Sequence, residues 1–194
     1  MAKKAKKESV TPVGPSNLIY QIKITLKDVK PPIWRRIQVK SDITLKVLHR
    51  IIQEVMGWED GHLHKFNIFG VSYGDPEQEV GSDEKKVRLN KLHLEEKHKF
   101  LYVYDFGDNW EHTILVEKIL PMDEKTQYPI CLTGKRSGPL EDCGGPWGYM
   151  DLIDVLDDPN DPEYEERVEW IGEDFDPELF DIEKINKRLK GTRR

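Results

Sequence analysis

The stretch YQIKITLKDVKPPIWRRIQVKSDITLKVLHRIIQEVMG, Tyr20 to Gly57, changes its hydrophobic period in mid-course, and that change sets the fold class. Tyr20, Ile22, Ile24 and Leu26 alternate with Gln21, Lys23, Thr25 and Lys27, the pattern of a half-buried strand. Pro31-Pro32 interrupts it, since neither residue has an amide to give to a ladder. A second strand follows, with Ile33, Ile37 and Val39 on one face. From Thr44 the period lengthens to about 3.6: Leu45, Leu48, Ile51/Ile52 and Val55 form one helical stripe. Thr44 is placed to cap its start, and Gly57 stands where a helix turns left-handed to stop.

Downstream, HLHKFNIF reads as extended and residues 74–98 as polar and turn-rich, with GDPEQEVGSDEKK expected to be a mobile loop. Strands over 99–106 and 110–119 form a hairpin, and Ile130–Leu132 is a short strand. Three helical patterns close the chain: one after Pro146 with Tyr149, Leu152, Ile153 and Leu156; one between Pro162 and Gly172; and one with Leu179, Ile182, Ile185 and Leu189. Strands grouped before helices predict an α+β fold, a mainly antiparallel sheet with a ββαβ, β-grasp-like start and an acidic helical C-terminal part. Residues 1–17, basic and poor in bulky side chains, are expected to be a disordered leader. Residues 18–190 are expected to be one domain, sheet-rich over 18–120 with a loop and helices over 121–190.

Charge is segregated behind a net value of −6. Residues 141–183 hold seventeen acids against Arg167 alone, while 184–194 carry six basic groups. That acidic block would repel a phosphate backbone, which argues against extensive nucleic-acid binding on its face. No apolar run reaches the ~18 residues of a membrane span, so the expected place is the cytoplasm, away from membranes. Cys131 and Cys143 are then expected as thiols, and two cysteines cannot by themselves fill a tetrahedral zinc site.

Three segments concentrate polar side chains beyond what turns require. LYVYDFGDNWEH, Leu101 to His112, ends a strand in Asp-Phe-Gly-Asp and resumes with Trp-Glu-His. A two-residue turn at Asp108-Asn109 would set Asp105 opposite His112, with Cβ atoms about 5 Å apart. A three-residue turn, Gly107 to Asn109, would set Tyr104 opposite His112 instead; the first is favoured because it matches aliphatic with aliphatic. Trp110, restarting the strand, is expected in the core with a partner for its N–H. His62 and His64, two apart on a strand, point to one side, as metal-binding histidine pairs do. In PLEDCGGPWGY, Glu141 and Asp142 precede a Gly-Gly helix start; the acids favour a cation or a hydrogen-bond donor over an anion. They also suit the helix dipole, at about 0.3–1 kcal/mol per charge.

PPIWRRIQV, LHRIIQEVMGW, HLHKF, YVYDFGDNWEH, PLEDCGGPWGY and FDPELFDIEKIN occur in this order, and the set resembles the plasmid open-reading-frame-three-like family, first named from a root-inducing (Ri) plasmid. Members of that family are often labelled resolvase-like passengers of insertion elements, which implies an association with mobile elements. The resemblance covers roughly residues 18–190. A serine recombinase needs a nucleophilic serine ringed by arginines, and Ser9, Ser16, Ser41, Ser72, Ser82 and Ser137 have no such setting, so resolvase catalysis is rejected. Where the family carries Cys-Pro-Pro-Glu-Asp, this chain has Gly138-Pro139-Leu140-Glu141-Asp142, which argues against a thiol mechanism.

The leading expectation is a binding or interaction module with a polar cleft built from Asp105, Asp108, His112, Glu141 and Asp142. The second is a hydrolase-like enzyme in which His62, His64, Asp105 and His112 hold a divalent metal that activates water. The third is a nucleic-acid accessory factor acting through Arg35, Arg36 and the basic tail.

Overall fold

The structure, a computed structural model, describes residues 17–172 and 175–193. The expected leader lies outside the described residues except for Asn17. The elements are β1 (Leu18–Leu26), β2 (Trp34–Lys40), α1 (Leu45–Met56), β3 (His64–Ile68), β4 (Val71–Gly74), β5 (Ser82–Asp83), β6 (Lys99–Tyr104), β7 (Trp110–Pro121), β8 (Ile130–Lys135), α2 (Gly145–Asp157), α3 (Tyr164–Ile171) and α4 (Ile182–Leu189). The strands join in one sheet of order β5-β4-β3-β6-β7-β1-β2-β8, antiparallel throughout except for the parallel pair β4/β5. The class is α+β with a mainly antiparallel sheet.

The period-two residues of β1 do what their spacing demands. Ile22 and Ile24 face inward with Ile37 and Val39 of β2 and Ile114 and Val116 of β7, all buried. Leu48, Ile51 and Ile52 of α1 close over them, each buried side chain contributing roughly 1.5–3 kcal/mol. Thr44 caps α1, its Oγ1 accepting the Val47 amide at 3.3 Å, and Gly57 ends it at φ 93. At the far edge, Asn186 of α4 pairs with the backbone of Cys131, accepting its N–H at 2.8 Å and donating to its C=O at 3.0 Å. One side-chain amide thus does for β8 what a further strand would, and blunts the edge.

Two expectations change here. The stretch 74–86 is more than a mobile loop: it carries β5 and buries Glu84 completely. The last helix starts at Ile182, capped by Asp181, and leaves Leu179 half-exposed outside it, because the Asp181 carboxylate takes the Lys184 amide at 2.8 Å.

Candidate functional site

The β6–β7 hairpin adopts neither expected register. Tyr104 pairs with Trp110, Tyr102 with His112 and Phe100 with Ile114, which leaves a five-residue loop from Asp105 to Asn109. Asp105 and Asn109 both sit at φ 55, a left-handed conformation that Asp and Asn tolerate best after Gly. Asp105 Oδ1 accepts the Gly107 amide at 2.9 Å, and its carbonyl accepts the Asn109 amide at 2.6 Å. Asp105 has therefore left the strand, and the register it sets turns Tyr102, Tyr104, Trp110 and His112 inward together, all fully buried.

His112 is consequently absent from the polar rim. Its Nδ1 lies 3.0 Å from the Trp110 carbonyl, and its ring meets Trp58 edge-on with centroids 5.3 Å apart. Burial pushes its pKa down to about 4, so it is neutral near pH 7. Trp110 is buried as expected, but its Nε1 has no hydrogen-bond partner among the described residues.

At the rim the structure brings together His62, Asp105 and Asp142. His62 Nδ1 stands 3.5 Å from Asp105 Oδ2, and its Nε2 stands 3.3 Å from Asp142 Oδ1. One ligand atom from each of the three lies within 4.8 Å of the others. Glu141 is committed elsewhere: it accepts the Tyr104 hydroxyl through Oε1 and the Glu59 amide at 2.9 Å through Oε2. The Tyr104 oxygen accepts the amides of Gly61 at 3.0 Å and His62 at 3.3 Å, so Glu141 and Tyr104 together position the segment bearing His62. The Asp108 carbonyl packs on Gly145, where a Cβ would come within 2.3 Å of it. The second glycine of Gly144-Gly145, at φ 70, is thus there for close backbone approach between the hairpin loop and α2.

His64 parts from His62 because β3 begins at His64, leaving His62 in the preceding loop. His64 points inward and stacks on His49 of α1, with centroids 3.4 Å apart and planes 4° from parallel. This belongs to a buried network that the sequence reading missed. His49 Nε2 lies 2.5 Å from Asp60 Oδ1, and its Nδ1 lies 2.8 Å from the Tyr102 hydroxyl. Gln53 donates to the same hydroxyl at 3.0 Å and accepts the Asp60 amide at 3.0 Å, closing the ring. His64 Nε2 meets Glu84 Oε2 at 2.8 Å, with the Lys46 ammonium 3.6 Å from the other Glu84 oxygen. Burial drives His49 down to about 4. His49, Asp60 and His64 also present ligand atoms within 4.8 Å of one another. However, lone pairs lying in parallel planes 3.4 Å apart cannot converge on one ion, so this cluster is a hydrogen-bonded clamp. The position of His49, four residues after Leu45 on the buried stripe, was a legible signal; Glu84, inside a run of charged residues, gave none.

The sequence profile of one family matches residues 18–184. The chain belongs to the plasmid pRiA4b ORF-3-like protein family. It is 37% identical over 176 residues to a Sinorhizobium fredii protein named "Uncharacterized protein y4hQ", covering 88% of this chain and 90% of that one. It is 45% identical to the Methanosarcina mazei Go1 protein of unknown function MM3350, whose crystal structure superposes with a TM-score of 0.81 and covers 86% of this chain and 96% of that one.

In this ORF-3-like protein His62 and Asp105 line a cleft of about 430 Å³, with Lys46, Asp60 and Phe106 on its other walls. The cleft is richer in carboxylates than in cations. Arg35 is buried and donates to the carbonyls of Val55, Trp34 and Lys135, which makes it a tie between α1, β2 and β8. Both cysteines are free, and burial pushes Cys131 up to about 11 and Cys143 up to about 12, which suppresses thiolate chemistry. No helix among the described residues is long and apolar enough to cross a membrane.

Proposed function

We propose that this protein is a binding module, one domain over residues 18–190 working in the cytoplasm, which takes a divalent cation through His62, Asp105 and Asp142 beside its polar cleft. The observation that carries the reading is the convergence of one imidazole and two carboxylates within 4.8 Å beside an acidic cleft. Such a mixed nitrogen and oxygen set suits zinc or a related divalent ion. Tyr104 and Glu141 support the set from behind by fixing the backbone of Gly61 and His62. Three protein ligands leave a tetrahedral ion one open position, the arrangement that activates water, so metal-dependent hydrolysis is the second reading. The β1, β2, α1, β3 order supports a ββαβ, β-grasp-like start, and we read the C-terminal helices as its acidic cover.

The test is calorimetric titration of tag-free protein with zinc and manganese ions, beside His62→Ala and Asp105→Asn. One site per chain, lost in both variants, is the expected result. Absence of binding to the unsubstituted protein, or binding unchanged in both variants, would refute it.

A further inference from the structure

The sheet has two unlike faces. Inward residues make the core, and the outward parity of the strands carries an excess of cations that no helix-side function uses. Lys65 on β3, Lys99 on β6, Lys23 on β1, Arg36 on β2 and Lys135 on β8 all occupy outward positions, against Glu111 and Glu117 of β7. In a chain of net charge −6, this is a locally positive face.

Register sharpens the charge. Lys99 pairs with Leu115, Leu115 with Lys23, and Lys23 with Arg36, so three cations stand on one line across four strands. Lys23 and Arg36 are directly opposed like charges, an arrangement that weakens a sheet unless an anion answers it. Glu117 answers Arg36, with bonds of 2.6 and 2.8 Å. Among the described residues, Lys23, Lys65, Lys99 and Lys135 have no carboxylate within ion-pair reach. Two of them lie over aromatic rings: Lys23 Nζ is 4.6 Å from the centre of Trp34, and Lys65 Nζ is 5.1 Å from that of Phe106. Arg36 flanks Trp34 as well, at 5.3 Å.

We infer that this outward face binds single-stranded nucleic acid, with the lysine line following phosphates and Trp34 offering a ring for a base. A row of cations in which all but Arg36 lack an ion-pair partner among the described residues, with an aromatic at each end, is the composition of a single-strand platform. A duplex fits less well. The face from β3 to β8 spans five strand spacings, roughly 24 Å, and a major groove of about 12 Å cannot admit it. The inference does not rest on the cation cleft at the hairpin end, which shares only Phe106 with this face and none of its cations.

Fluorescence anisotropy of labelled single-stranded DNA and RNA, with a duplex as control, tests it. Binding of a single strand is expected to weaken with salt, with a logarithmic slope of about −2 to −3 for three or four phosphate contacts. The double variant Lys23→Glu/Lys99→Glu should lose at least tenfold in affinity and flatten that slope, while Asp142→Asn should bind as before. If the double reversal does not fold, Lys99→Gln/Lys135→Gln, at two exposed sites, should show a smaller loss in the same direction. Three outcomes would overturn the inference: no single-strand binding at low salt, equal or tighter duplex binding, or affinity unchanged in the folded variants. Salt-sensitive self-association abolished by the same reversals, without oligonucleotide binding, would reassign the face to a second copy of this chain.

Discussion

Around His62 the imidazole is half-exposed and its two carboxylates stand at 3.3 and 3.5 Å, near but not bonded. Around His49 the imidazole is fully buried and both ring nitrogens have partners within 2.8 Å. The two regions use the same residue types, and the cleft brings them close, since Asp60 and His64 line it beside His62. The difference lies in completeness. A buried polar group without a bond costs about 1–3 kcal/mol, so an interior network must close on itself, as that of Asp60, His49, Tyr102 and Gln53 does. A rim can leave valences open because water fills them until a ligand does. Closed networks hold shape; open ones offer chemistry.

The hardest way to break the inner region is through Trp110. It packs at 6.0 Å from Trp58, whose ring covers Tyr104 and His112. Trp110→Ala should cost about 3–5 kcal/mol, read as a fall in the denaturation midpoint. Because the Trp110 N–H has no partner among the described residues, that loss is one of packing with no hydrogen bond to add to it.

Acid should come next in effect, again through the inner region. His49 and His112 are held near 4 by burial, whereas unfolded histidine titrates near 6.5. Between these values the unfolded chain binds more protons, so stability is full above about pH 6.5 and falls as the pH drops towards 4. Each histidine can account for up to about 3 kcal/mol of that fall. Urea midpoints measured across this window should slope in the native protein and slope less in His49→Gln; equal slopes would remove His49 from the account.

The smallest effect should be at the rim. The Asp142 side chain is 74% exposed, so Asp142→Asn should move stability by no more than about 0.5 kcal/mol. It should nevertheless weaken divalent-cation binding at least tenfold. A rim substitution that destabilised the fold as much as an inner one would erase the contrast between the two regions.

Local order alone determined a good part of this protein. The alternation of Tyr20 to Leu26, the stripe from Leu45 to Val55, the Thr44 cap and the Gly57 stop depend on contacts within a few residues, so they could be read directly. Gly144-Gly145 was legible as a special backbone position, though its reason, the Asp108 carbonyl 2.3 Å from where a Cβ would sit, was not. The hairpin register was decided in three dimensions. Both strands are apolar on both faces, so pattern could not choose, and the left-handed Asp105 and Asn109 settled it by closing a five-residue loop. That choice sent His112 into the core and left Asp105 at the rim. His62 and His64 separated for a similar reason, because the strand starts between them. Glu84 shows the limit most clearly: within a charged run it looks like solvent-facing chain, and only the pairing of β4 with β5 carries it inside to meet His64. Spacing fixes which side chains share an element, but which elements meet is set by burial and long-range hydrogen bonding, and the site lies where they meet.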